Sequence, residues 1–113
     1  MRMVNSPIAL RDLSLMAEAR FGDLVKAVVD IERTIMAVDA DMHSDEEAFL
    51  LDDGSEQRHL WGINIYPALP ALERVEFDSM INVRPSQGNR SRGVDDPEIR
   101  ARILSIVDSL IEP

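Results

Sequence analysis

The chain contains no cysteine, so disulfides, thiolate nucleophiles and sulfur-ligated metal sites are all excluded. Histidine is almost as scarce. With only His43 and His59 present, a zinc site would have to lean on carboxylates. Long hydrophobic runs are also missing: Val28-Val29 and Ile103-Leu104 are far too short to span a bilayer, and the opening MRMVNSPIAL lacks the apolar block of a signal peptide. These absences predict a cytoplasmic protein with no membrane partner. Basic residues are in the minority, 12 Lys and Arg against 21 Asp and Glu for a net charge of −9. Nucleic acid is therefore not an expected partner, because phosphate binding draws its affinity from Lys and Arg that release counterions. A local basic patch is still allowed.

What is present fits one domain over residues 1–113 with one core, at an ordinary 45% hydrophobic content. The charge is unevenly placed. Every charged residue from Asp39 to Glu56 is acidic, whereas Arg84, Arg90, Arg92, Arg100 and Arg102 cluster in the C-terminal third beside Asp95, Asp96 and Glu98.

Periodicity predicts a helix from about Leu10 to Arg20, entered at Ala9, a weak cap, and stopped by Gly22. The next segment, VKAVVDIERTIMAV, reads as a hairpin pairing residue 29 with 36. That register gathers Ala27, Val29, Ile31, Thr34, Met36 and Val38 on one face and leaves Lys26, Asp30 and Asp39 on a more exposed one. A second helix is signalled by HSDEEAFLLDDG, with Ser44 as cap, Glu47 completing a capping box and Gly54 as stop. LWGINIYP and VEFDSMINVRP then alternate as a second hairpin. The last helix is the clearest: Asp96 caps, Pro97 takes the first turn, and Ile99, Ile103, Ile106, Val107, Leu110 and Ile111 form a stripe. The predicted architecture is α+β in the order αββαββα. It has two layers, an antiparallel sheet of about four strands from the two hairpins, with the three helices on one face.

Three stretches carry groups that could do chemistry. Strand alternation places Asn64 and Tyr66 on one side with Glu76, Asp78, Asn82 and Arg84. Such a face is either merely solvated or a surface for a ligand or subunit. The loop RPSQGNRSRG follows directly, and its Arg84, Ser86, Gln87, Asn89, Arg90 and Arg92 could hold a phosphate or carboxylate, with Gly88 and Gly93 letting backbone N–H groups approach. It is neither a P-loop nor a dinucleotide fingerprint. The competing expectation is a self-clamped loop, its arginines tied to Asp95 and Asp96, which already supply negative charge at the following helix start. Third, DMHSDEE offers His43, Asp45 and Glu46, with Asp41 nearby, as ligands for a hard metal. Acids in a first helical turn are, however, already explained by the helix dipole.

The segments FGDLVKAVVDIE, SDEEAFLL, LWGINIYP and DSMINVRPSQGNRSRGVDDPEIR together resemble a family of small bacterial and archaeal proteins of unknown function, over nearly the whole chain. The resemblance brings no activity, substrate or catalytic residue with it. Ala9 departs from the Ser or Thr cap expected there. The functional expectation is a binding or interaction module, without a cofactor, working through the polar sheet face and the arginine loop. Its partner would be a small anion, an acidic protein segment, or a second copy in a homodimer. The alternative is a metal-assisted phosphoester hydrolase using His43, Asp45 and Glu46, with Arg84 or Arg90 balancing transition-state charge.

Overall fold

A computed structural model describes residues 1–113. Helix α1 (Leu10–Arg20) ends as its sequence requires: the Phe21 and Gly22 N–H groups both return to the Ala17 carbonyl, and Gly22 takes the left-handed φ of 96°. At its other end Ala9 offers no side-chain cap. The approach is fixed instead by pairing of the short strand β2 (Ile8–Ala9) in parallel with β7 (Ile111–Glu112), which ties both ends of the chain together.

Strands β3 (Val25–Asp30) and β4 (Ile35–Val38) form the expected hairpin, with Val29 opposite Met36 and Ala27 opposite Val38. Its four-residue turn is held by Asp30, whose carboxylate accepts the Glu32 and Arg33 N–H groups at 2.9 and 3.0 Å. The antiparallel sheet adds β1 (Arg2–Val4) beside β4, β5 (Leu60–Ile65) beside β3, and a two-residue β6 (Val75–Glu76) at the far edge, in the order β1-β4-β3-β5-β6.

One sheet face carries Ala27, Val29, Met36, Val38, Trp61, Ile63 and Ile65. It packs against Leu13 and Ala17 of α1 and Ile103, Ile106 and Val107 of α3 (Pro97–Leu110) in a single buried cluster. α3 begins as its sequence specifies, with Asp96 accepting from the Glu98 N–H at 2.8 Å and Pro97 in the first turn.

The fold is α+β, but its layering corrects one expectation. α2 (His43–Asp52) does not join the other helices: its Leu50 and Phe49 cover Val28, Ile35, Ala37 and Leu60 on the opposite face. The central strands are apolar on both sides, so each face needs a cover, and the sheet is sandwiched between α1/α3 and α2. Two further corrections follow from local geometry. The helix starts at His43 with Met42 as its uncapped N-cap residue, so Ser44 lies inside the first turn and no capping box forms. The sheet also has five strands, because β1 pairs with β4, while most of the predicted last strand is irregular. No helix of the chain is long and apolar enough to cross a membrane.

Candidate functional site

The last predicted strand leaves the sheet at Gly62. A Cβ there would sit 2.5 Å from the Ser79 hydroxyl oxygen, so the missing side chain lets the Ser79–Asn82 turn lie directly on β5. Asn82 then does the work of a neighbouring strand. Its Oδ1 accepts the Gly62 N–H at 2.8 Å and its Nδ2 donates to the Gly62 carbonyl at 2.9 Å, with a further bond to the Arg92 carbonyl at 3.0 Å. These bonds satisfy the backbone of β5 where no strand pairs with it.

The arginine loop is built around a second buried amide. Asn89 Nδ2 lies at 2.8, 3.2 and 2.8 Å from the carbonyls of Asn82, Ser91 and Gly93, and its Oδ1 accepts the Asp95 N–H at 2.8 Å. Asp95 closes the loop by accepting from the Arg90 N–H and the Ser91 hydroxyl, contacts that hold its pKa below the usual carboxylate value.

The arginines have separate fates. Arg84 stacks 4.2 Å over the Trp61 ring and donates to the Gln57 and Leu60 carbonyls, and burial lowers its pKa. Gln87 adds a bond to the Arg58 carbonyl at 2.8 Å. Arg92 pairs with Asp78 at 2.6 Å, the Arg90 guanidinium makes no bond within the chain, and Ser86 is exposed. Asn64 and Tyr66 share the Glu76 carboxylate, at 2.8 and 3.1 Å. The sequence-predicted residues are thus brought together mostly as a scaffold, with Arg92, Asp78 and Arg90 left at its surface.

That scaffold forms one wall of a small cleft of about 140 Å³, lined by Lys26, His43, Ser44, Ser79 and Arg92 together with Met42, Met80 and Ile81. Lys26 is the sole lysine in the chain. It projects from β3 directly opposite Asn64, and its ammonium lies 5.4 Å over the Phe21 ring without a carboxylate partner. The Ser44 hydroxyl has no partner within the chain. Ser79 is fully buried, and its hydroxyl accepts from the Ile81 N–H at 3.3 Å. His43, only 7% exposed, donates from Nε2 to the Ile63 carbonyl at 2.7 Å; burial lowers its pKa, so the ring is neutral near pH 7. Helix α2 begins here without a side-chain cap; the Asp45 N–H returns to the Met42 carbonyl at 3.1 Å, and the His43 and Ser44 N–H groups are left as the unpaired donors of the helix start. Sequence reasoning missed Lys26, Ser44 and Ser79. The one available signal was the sole lysine of the chain, set among the apolar residues Val25 to Val29.

The residues proposed for a metal do not converge. His43 lines this cleft, Asp45 lines a separate broad hollow with Arg20, Asp39, Asp41 and Asp52, and Glu46 is wholly buried. No group of three or more His, Asp or Glu side chains is placed to hold an ion. The acidic stretch is met by arginines of its own chain, Arg20 with Asp39 and Asp41 and Arg33 with Asp53.

Glu46 has a different role. One carboxyl oxygen accepts the Ala40 N–H at 3.1 Å, the other has no partner, and burial pushes its pKa up to about 9. It is therefore uncharged at neutral pH and adds no negative charge at the α2 N-terminus. Its folded pKa lies above the unfolded value of 4.5, so between the two the unfolded chain sheds a proton that the folded chain keeps. Stability falls as pH rises through that window, by about 1.4 kcal/mol per unit. Glu46→Gln removes this slope. Chemical denaturation should show the variant gaining on the wild type by ~1.4 kcal/mol per unit between about pH 6 and about pH 8. Parallel stability curves would show that Glu46 is ionised in the fold.

A three-layered α+β fold with a clamped arginine loop beside a cleft rich in hydrogen-bond donors defines a small domain with a preformed polar recess. Residues 2–110 match a family described as proteins of unknown function (DUF5674), and the chain belongs to that family. No curated protein and no solved structure matches it.

Proposed function

We propose that the protein is a small binding domain that takes up an anionic group, a carboxylate or phosphate, in the cleft between the α2 N-terminus and Arg92. The observation that carries this reading is the convergence of Lys26, Ser44, Ser79 and Arg92, from separate elements, on a recess of about 140 Å³ beside an uncapped helix start. Helix N–H groups, an ammonium and a guanidinium favour an anion by charge as well as by hydrogen bonding. The small volume admits a headgroup; drug-sized ligands require roughly 300–1,000 Å³.

Arg92 is free to serve a ligand because its present pairing is weak. The Arg92–Asp78 ion pair is half-exposed on both sides, a setting in which such pairs contribute only about 0–1 kcal/mol. A charge-assisted bond to a recessed anion is worth about 1.5–3 kcal/mol, so the guanidinium gains by exchanging partners. Asn82, Asn89 and Arg84 position the wall that carries Arg92, and Asn64 and Asp78 border it. Self-association through the charged surfaces has weaker support, since the acidic stretch already meets its own arginines.

Calorimetric titration with inorganic phosphate tests the reading. Arg92→Gln and Lys26→Gln should each weaken binding about tenfold, the equivalent of ~1.4 kcal/mol. Loss of binding in Arg90→Gln, with the other two variants unaffected, would move the anion to the open side of the loop and overturn the assignment.

A further inference from the structure

His43 is not needed to explain anion binding, yet its ring is held in an unusually defined way. Nε2 donates to the Ile63 carbonyl at 2.7 Å, which fixes both the tautomer and the ring plane. Nδ1 is then the nitrogen that bears the lone pair, and no group of the chain hydrogen-bonds to it. The side chain is more than nine-tenths buried but lines the cleft. With Nε2 turned inward to β5, Nδ1 is the ring nitrogen left for the recess. A capped or ion-paired histidine would have no such free acceptor.

We propose that His43 is a phosphoryl-acceptor site, with Nδ1 the nucleophile and the cleft formed by Lys26, Ser44, Arg92 and the α2 N-terminus the receptor for the transferred group. The inference rests on the anion cleft proposed above and adds a covalent step to it. The donor is a compound of high phosphoryl-transfer potential, an acyl phosphate or an N-phosphoryl compound. The Nδ1 lone pair forms a new N–P bond as the bond from phosphorus to the leaving group breaks, and the leaving group departs with that electron pair. No oxidant or reductant is required. The ring keeps its Nε2 proton, shared with the Ile63 carbonyl, and the positive charge that develops on it is offset by the phosphoryl oxygens on the same group.

Three further features support the assignment. Burial holds the His43 pKa down, with the charges of Lys26 and Arg92 acting the same way against the Ile63 carbonyl and Asp78, and so the imidazole stays neutral and nucleophilic. The phosphoryl oxygens would arrive in a cleft lined by the Arg92 guanidinium, the Lys26 ammonium and Ser44 at the start of α2. Position His43 is the first residue of α2, so a group on Nδ1 adds its negative charge at the positive end of the helix dipole.

The test is incubation of the full chain with phosphoramidate, and separately with acetyl phosphate, followed by intact mass and phosphorus NMR. The expected product carries one phosphoryl group, labile in acid and stable in base, mapped to His43 Nδ1 by nitrogen–phosphorus coupling in the wild-type protein. His43→Gln, which keeps a side-chain donor for Ile63, should abolish it, and Arg92→Gln should slow its formation at least severalfold. His59→Gln should form it at the wild-type rate. No adduct, or one located on His59 or on a serine, would overturn the proposal. Phosphate binding that persists without any adduct would leave the anion cleft standing while removing the covalent step, so the two readings fail separately.

Discussion

Replacing Ile103 by aspartate is expected to leave no folded protein. Ile103 is fully buried where α3 meets the sheet, at the centre of a cluster that contains Leu13, Ala17, Val29, Met36 and Ile63. Truncating such a side chain alone costs about 2–5 kcal/mol. An unpaired carboxyl in the same place adds several kcal/mol more, whether it stays charged or takes up a proton. Domains of this size have only about 5–15 kcal/mol to lose. Glu46 shows the conditions under which this fold does hold a buried carboxyl: it keeps its proton and accepts a backbone N–H from Ala40. Ile103 sits in a cluster of buried apolar side chains. Circular dichroism of the purified variant should show an unfolded chain, and a soluble variant with the wild-type melting curve would mean that α3 is not docked as described.

The second large effect is expected at Asn82. Asn82→Ala strands the buried Gly62 N–H and carbonyl and removes one of two bonds to the Arg92 carbonyl, which keeps the Ser79 N–H. At about 1–3 kcal/mol for each of the two Gly62 groups left without a partner, the loss is about 2–6 kcal/mol. Asn82→Asp should be no better tolerated, because its second carboxylate oxygen would face the Gly62 and Arg92 carbonyls where Nδ2 now donates. The damage should spread, since the Asn82 carbonyl is itself held by Asn89 and through it the whole arginine loop. Thermal melting measures the first effect. Hydrogen exchange at the Gly62 and Asp95 amides measures the second, and an unchanged Asp95 amide would show that the turn and the loop are independent.

Much of the fold was legible because local chemistry and global packing agree. The β3–β4 register follows from which residues can share an apolar face, and the α3 start follows from Asp96-Pro97. The layer assignment failed where a period-two reading treated Val28 and Ala37 as incidental, although an apolar residue on each side of a central strand requires a cover on each side. Ser44 was misplaced because a Ser-x-x-Glu pattern is satisfied on paper one or two residues away from the true helix start. The end of the second hairpin was illegible for a different reason: Gly62 and Asn82 replace ladder hydrogen bonds with a side-chain amide, and alternation carries no signal of that exchange.

Of the two expectations for the loop, the structure bears on the clamp. Asp95 does clamp it, but through the Arg90 backbone and Ser91 and not through an arginine side chain. Arg92 turns instead to Asp78 at the mouth of the cleft. The cleft itself could not be read from the chain. Lys26, Ser44, Ser79 and Arg92 lie far apart in sequence, and only the placement of α2 on the second face brings them together.

Anion binding in that cleft is tested most directly by an NMR titration of the wild-type protein with inorganic phosphate. Saturable shifts at the Ser44 amide, the His43 ring nitrogens and the Arg92 guanidinium, all fitting one dissociation constant, are the predicted result. Shifts confined to Arg58 and Arg90 on the exposed side of the loop, or no saturable shift at Ser44, would contradict it.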